Sequence, residues 1–434
     1  MLYNRARFLL ETHLKDYIDI LHFIRKLYDE PKDFIPLHQP YFIGNEKRYL
    51  EECIDTGFVS SVGAFVDRFE RDIASFCGSA YAIATTNGTS ALHIALHALG
   101  VDSSCEVITQ PLSFIATSNA ISYTGARPIY IDVDMDTLSL SPSALRIFLE
   151  TFGIQKEDKL INKHSGKTIK ACVPMHTFGH PGRIQEISAI CEEWGIVLIE
   201  DSAESLGSYL IDENLQTDTL AAHTAKVQNI AQKSTQSIAS NLRHTGTFGV
   251  CGILSFNGNK TITCGGGGAI LTQDSALAKR LKHLTTTAKI PHPYEYNHDE
   301  LGFNYRLPNI NAALACAQIE LLPKFLNEKA EIAQMYAEFF ASYTGVEFIG
   351  ARAGTKPNFW LNAIKLESKH ERDRFLELSN ANGVMTRPIW KLNNECPMYQ
   401  SAQSDSLKNA KILRDCIINL PSSARIHIIK SCNA

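Results

Sequence analysis

Long apolar runs are missing from this sequence. No stretch approaches the roughly 20 residues that a bilayer-spanning helix needs, so no membrane helix is expected. An excess of charge is missing too. Forty-two Lys and Arg face 46 Asp and Glu, a formal net charge of -4, which offers nucleic acid or an anionic membrane no overall attraction. The eleven cysteines form no C-x-x-C pair and stand singly, several in apolar runs, as at Cys172, Cys191 and Cys316. Such scattered thiols fit free, buried side chains in a reducing compartment better than a disulfide framework. The first 35 residues carry charges throughout (Arg5, Arg7, Glu11, Lys15, Asp16) and hold no signal-peptide core. A cytoplasmic protein is expected. No G-x-S-x-G elbow points to a hydrolase, and there is no internal repeat or low-complexity tract.

What is present is ordinary globular material: 434 residues, 44% hydrophobic and 20% charged. A chain of this length usually divides, since cores stop growing beyond roughly 250–300 residues. Residues 4–29 read as an amphipathic helix, with Tyr17, Ile20, Leu21 and Ile24 at helical spacing. From about residue 64, helices and strands alternate. Helices are predicted at Val66–Phe76, Ser90–Leu99, Ser113–Tyr123, from Ser141 onward with Ser141 as cap, and Ile184–Trp194. Strands are predicted at Tyr81–Ala84, Glu106–Thr109, Pro128–Val133, Ala171–Pro174, Ile196–Ile199, Ile253–Phe256 and Ala269–Thr272. This order predicts an α/β fold with a mostly parallel sheet covered on both faces. Residues 211–243, rich in Gln, Ser, Thr, Asn and Ala, break the rhythm and read as an inserted surface segment, partly helical or disordered. A long helix follows Pro308. A strand at about Phe359–Leu366 and a helix at about Glu371–Asn382 indicate a small α+β domain at the end. The expected organisation is an N-terminal helical extension over 1–34, a large α/β domain over 35–290, and a linking helix with the small domain over 291–434.

Three segments carry chemistry. Thr85-Thr86-Asn87-Gly88-Thr89-Ser90 lies between a strand and a helix. Gly88 admits close approach of a ligand, and the hydroxyls and free N–H groups at the helix start suit an anion; taken alone, the segment reads more readily as an ordinary capped helix start. Asp201, in Ile199-Glu200-Asp201-Ser202-Ala203-Glu204, ends a buried strand at the sheet edge where open α/β folds bind ligands. A carboxylate there can keep a ring nitrogen protonated, with about 4 kcal/mol of attraction at 4 Å before desolvation; taken singly, it is also a fair turn cap. Lys260 follows Leu254-Ser255-Phe256-Asn257-Gly258-Asn259 and precedes four glycines, Gly265 to Gly268. An amine desolvated among positive groups becomes a nucleophile for Schiff-base chemistry. Gly258-Asn259-Lys260-Thr261 is not a P-loop, because the Gly required directly before Lys is absent. His93 and His97 lie four apart on a helix and His176 and His180 could pair locally, but no acidic partner completes a zinc motif, so no metal site is expected.

In order and context these segments resemble the DegT/DnrJ/EryC1/StrS family of sugar aminotransferases dependent on pyridoxal 5'-phosphate (PLP), from about Ile35 to the C-terminal region. The likeness rests on Asn87-Gly88-Thr89-Ser90-Ala91-Leu92, Glu200-Asp201-Ser202-Ala203-Glu204-Ser205, His244-Thr245-Gly246-Thr247-Phe248-Gly249, Ser255-Phe256-Asn257-Gly258-Asn259-Lys260 with its glycines, and Gly302-Phe303-Asn304-Tyr305-Arg306-Leu307. It implies a PLP-dependent transferase fold of type I, aspartate-aminotransferase-like. It further implies that Lys260 carries the cofactor as a Schiff base and that Asp201 partners the pyridine nitrogen. Gly88, Thr89 and Ser255 would cradle the phosphate. Phe114 would stack on the ring, although its spacing alone suits a core residue. Glu204 would lie near the ring oxygen. Asn304 would reach the phosphate of a second subunit, making the active protein a homodimer; a bland loop residue is the alternative. Met175 to Pro181 resembles a loop near the cofactor, which would turn His176 toward the site. The substrates implied are L-glutamate and a nucleotide-linked 4-keto-6-deoxy sugar. The long N-terminal segment, residues 175–181 and the Asn419-Leu420-Pro421-Ser422-Ser423 ending are closest to the enzymes that aminate UDP-4-keto-6-deoxy-N-acetylhexosamine on legionaminic-acid or bacillosamine routes, with dTDP- and GDP-linked sugars left open. The rivals are a PLP-dependent sugar dehydratase, against which Lys260 counts, and a non-catalytic regulator that binds PLP or a sugar nucleotide.

Overall fold

The computed structural model describes residues 17–211 and 241–425. The expectations for residues 4–16 and 212–240 fall outside that range.

Seven strands form the spine of the large sheet, in the order Tyr81–Thr85, Gly268–Thr272, Cys251–Ser255, Val197–Asp201, Thr168–Val173, Cys105–Thr109, Arg127–Tyr130. All pairs are parallel except those of Gly268–Thr272, which runs antiparallel to both neighbours. The strands are apolar on both sides because helices cover both faces. Side-chain alternation divides the core accordingly. Ala269, Leu271 and Leu254 pack with Phe65 and Phe69 of the helix Ala64–Cys77 and with the long helix Asn309–Phe340. Ile270, Ile253 and Ile83 point the other way, toward Leu92 and Ile94 of the helix Gly88–Ala98 and Leu281 of the helix Ser275–Thr285.

A second, antiparallel sheet takes the order Val346–Phe348, Asn362–Leu366, Ile417–Leu420, Arg387–Pro388. One face of it (Ile364, Leu366, Ile418, Leu420) packs with Tyr336 and Phe340 from the end of the long helix and with Tyr17, Ile20, Leu21, Ile24 and Leu27. Those last five lie on the helix over 17–27. The N-terminal stripe therefore completes the core of the C-terminal sheet.

Several expected boundaries move. The helix predicted from Ser113 starts at Ala116; Ser113 and Phe114 stay in the loop before it, with the Ser113 hydroxyl 3.1 Å from that of Thr117 in the first turn. The strand predicted to run to Val133 stops at Tyr130. The expected insert is shorter than 211–243: Ile211, Leu242 and Arg243 belong to an antiparallel ladder, pairing Tyr209 with His244, Leu210 with Arg243 and Ile211 with Leu242. The antiparallel strands Gly153–Lys156 and Lys159–Asn162 were not foreseen. Among the described residues no helix is long and apolar enough to cross a membrane.

Candidate active site

The three chemical segments meet at one edge of the large sheet. Gly268 pairs with both Thr85 and Ser255, which places the first segment beside the third; Ile253 pairs with Asp201, which adds the second. The turn after Thr85 closes so tightly over Gly268 that a Cβ there would lie 2.5 Å from the Asn87 carbonyl carbon, so only glycine fits. A Cβ on Gly88 would lie 3.0 Å from that of Ser255, so the helix start and the strand end are in contact. Asn87 caps the helix by accepting from Ser90 N at 2.8 Å, and Ala91 N bonds Asn87 O. The N–H groups of Gly88 and Thr89 lie ahead of these and have no acceptor within the helix. With the Ser255 hydroxyl close by, these groups at the positive end of an eleven-residue helix could hold an anion.

Lys260 reaches back toward Asp201's loop. Its Nζ donates to Glu204 Oε1 at 3.2 Å, with 13% of the lysine and 1% of the glutamate side chain exposed. The same ammonium sits 4.1 Å from the centroid of the Trp360 ring, whose Nε1 donates to Asn259 O at 2.6 Å. Burial pushes the Glu204 carboxyl up to about 7; Asp201's negative charge adds to that, and Lys260 and the Phe178 N–H oppose it. Near neutrality Glu204 can therefore hold or release a proton beside the lysine. Asp201 is buried and accepts from Thr117 Oγ1 at 2.6 Å and Ala203 N at 3.2 Å. These contacts orient the carboxylate.

Phe114 is not the core residue its spacing allowed. It is 52% exposed, on the loop just before the helix whose Thr117 grips Asp201, as an aromatic available to a ring would be. Glu204 was expected near a ring oxygen and is the direct partner of Lys260. Asn304 stands apart: it is exposed and accepts from Arg306 at 3.3 Å, while its neighbour Tyr305 takes Thr86 N at 2.9 Å.

His176 does not face the site. Its Nδ1 accepts from Gly182 N at 3.1 Å, so Nε2 carries the hydrogen toward Glu200, 3.0 Å away. Glu200 also takes the N–H groups of Gly246, Phe248 and Gly249. Burial opposes its charge, yet these donors hold the carboxyl below its usual range. The Glu200 and His244–Gly249 motifs thus clamp each other behind the sheet edge. His180 is buried with Nε2 unpartnered and does not pair with His176; burial pushes its pKa down to about 4. His93 Nδ1 lies 3.1 Å from the Tyr305 hydroxyl in an aromatic nest.

Thr117, Asn358 and Trp360 were not anticipated. Thr117 had a faint signal, a hydroxyl one helical turn after Ser113 in a segment already singled out. Trp360 had none, since it lies a hundred residues beyond Lys260.

An aldehyde with a phosphate and a basic ring nitrogen fits this set of groups: amine, carboxylate, anion cradle and exposed aromatic lie around one edge, with glycines where a Cβ would intrude. Such a fold and site define a type I PLP enzyme. Residues 41–428 match the DegT/DnrJ/EryC1/StrS aminotransferase family, and the chain belongs to it. It is 33% identical over 392 residues to the GDP-perosamine synthase of Escherichia coli O157:H7, spanning 90% of this chain and 93% of that protein. With the putative pyridoxal phosphate-dependent aminotransferase EpsN of Bacillus subtilis (strain 168) it shares 32% over 368 residues, 85% and 84% of the two chains. Helicobacter pylori PseC, an aminotransferase involved in the biosynthesis of pseudoaminic acid, has the same fold, with a TM-score of 0.74 at 22% identity over 90% of this chain and 94% of that one. The protein is a PLP-dependent sugar aminotransferase. The expected affinity with UDP-sugar enzymes is not what the sequence relatives' names carry, as the GDP-perosamine synthases show.

Proposed function

We propose that the enzyme moves the amino group of L-glutamate onto a nucleotide-linked 4-keto-6-deoxy sugar, with a UDP-linked N-acetylhexosamine as acceptor, for a bacterial surface glycan. The observation that carries the amine-transfer reading is the 3.2 Å pairing of Lys260 with Glu204 on the edge that also holds Asp201. Bound PLP supplies an aldehyde that takes up amines and a ring that withdraws electrons from them. The chain's residues do the rest. The helix start at Gly88 and Thr89, with Ser255, holds the phosphate. Asp201, oriented by Thr117, would keep the ring nitrogen protonated, and exposed Phe114 would offer it an aromatic face. Glu204 accepts a proton from the Lys260 ammonium, which makes Nζ a nucleophile. With the cofactor bound, the same Nζ would be the group placed to take up and return a proton at the reacting carbon. Two substrates using one site in turn give ping-pong kinetics.

The UDP reading is supported by the N-terminal segment, residues 175–181 and the 419–423 ending. A GDP-linked acceptor is the second reading, favoured by the GDP-perosamine synthases at 33% and 31% identity. The reading also includes a cytoplasmic homodimer in which Asn304, exposed on its own chain, completes the phosphate site of the partner.

A panel of UDP-, dTDP- and GDP-linked 4-keto sugars with glutamate, read by mass spectrometry, tests the acceptor. Amination of the UDP N-acetyl sugar is expected; preference for the GDP sugar moves the assignment to the second reading. Lys260→Ala should retain weak cofactor binding and lose turnover, and near-normal transamination by that variant would refute the site.

A further inference from the structure

We propose that Lys329 is a positioning residue for the reactive lysine, acting through a strained turn at 358–360 on which both members of the Lys260–Glu204 pair lean. The inference rests on the reading of Lys260 as the amine that takes up the cofactor.

Lys329 lies within the long helix and is fully buried. Its Nζ points at three main-chain carbonyls, those of Ser422 at 2.6 Å, Trp360 at 3.1 Å and Phe359 at 3.4 Å. Three acceptors match the three hydrogens of an ammonium. Among the described residues no carboxylate pairs with it, so this buried amine is spent entirely on holding backbone. Burial opposes the charge and pushes the pKa of this amine down to about 7, a cost that an apolar side chain of the same length would avoid. The cost is explained by what the amine holds.

Phe359 has φ of +48°, in the left-handed region that suits glycine and that a bulky side chain occupies only when its surroundings impose it. The carbonyls on either side of the Phe359–Trp360 junction are the ones Lys329 grips. Asn358 locks the turn from the other side, its Oδ1 accepting from Trp360 N at 2.8 Å. The turn then touches both halves of the reactive pair. Asn358 Nδ2 donates to Glu204 O at 2.8 Å and Leu206 O at 2.9 Å, indexing the backbone of the carboxylate. The Trp360 ring lies 4.1 Å below Lys260 Nζ, and its Nε1 fixes the residue before the lysine through Asn259 O. Lys329 thus reaches the active site through two hydrogen-bonded steps without touching substrate or cofactor.

The experiment uses the full chain, stripped of cofactor and mixed with PLP. The readouts are the rate at which the lysine–cofactor absorbance band appears and the peptide labelled after borohydride reduction. In Lys260→Ala the band and the label at residue 260 should vanish; their persistence would overturn the underlying reading, separately from this inference. Lys329→Met should form the adduct about tenfold more slowly, a factor that corresponds to about 1.4 kcal/mol of lost positioning. Phe359→Gly removes the backbone strain, so the double variant Lys329→Met/Phe359→Gly should recover most of the rate, a rescue that a packing defect at 329 would not show. A wild-type rate in Lys329→Met, or a double variant no faster than the single one, overturns the proposal. Should Lys329→Met fail to fold, Trp360→Leu takes its place, since it leaves the lysine and the turn intact; the same slowing is expected, and an unchanged rate overturns the proposal.

Discussion

Glu204→Gln probes the buried acid beside Lys260. The carboxyl ordinarily titrates near 4.5 and is pushed by burial to about 7 in the fold. A folded pKa above the unfolded one means that the native chain binds the extra proton. The resulting stability is fully present below pH 4.5 and is lost as pH rises through 7. A displacement of about 2.5 units at 1.36 kcal/mol each amounts to about 3 kcal/mol. Unfolding entropy for 434 residues is on the order of 0.9 kcal/mol per kelvin, so this corresponds to about 3 °C in melting temperature. Glutamine keeps the shape and can still accept from the Phe178 N–H, but it does not titrate. Thermal melts of the cofactor-free protein at pH 5 and pH 8 should therefore show the variant gaining about 3 °C on the wild type across that interval. At pH 8 it should also form the lysine–cofactor adduct slowly, because a glutamine amide cannot act as the base that Glu204 provides beside Nζ. Parallel melting curves with an unchanged difference at the two pH values would refute the assignment of this carboxyl as a raised, buried acid.

Three further outcomes follow from the geometry. Gly268→Ala places a Cβ 2.5 Å from the Asn87 backbone; it should cost about 1–3 kcal/mol of stability in denaturant titration and weaken PLP binding by opening the phosphate cradle. Thr117→Val removes the 2.6 Å hydrogen bond to buried Asp201; a bond to a charged group is worth about 1.5–3 kcal/mol, so PLP affinity should fall at least tenfold in equilibrium dialysis, with little effect on fold by circular dichroism. Mixing inactive Lys260→Ala with inactive Asn304→Ala should restore activity, because a mixed dimer contains one intact site; no recovery after verified subunit exchange would remove Asn304 from the partner's site.

Much of the large sheet was legible because its strands are continuous apolar runs separated by amphipathic helices. The helix Ile184–Trp194 was legible from the apolar stripe within it, and it ends where Gly195 takes the left-handed cap. Legibility failed where local pattern is weak or outvoted. Ser113 and Phe114 stay in the loop before a helix whose periodicity begins earlier. Ile211, Leu242 and Arg243 read as polar insert because a three-residue ladder is too short to show alternation. His176 was assigned to the site by motif order, but which way a side chain points depends on its neighbours, here Glu200 and Gly182.

The sequence by itself determined the candidate groups: an amine, two carboxylates and a glycine-marked helix start, each following a buried strand. Strand ends at one edge of a parallel sheet must converge, so their order along the chain already implied a common site. The tertiary structure alone decided that Glu204 pairs with Lys260, that Thr117 holds Asp201, and that a tryptophan and a buried lysine from distant segments support the pair. Those choices depend on burial and on contacts between residues 56, 84 and more positions apart, and neither quantity is written in the local spacing of the chain.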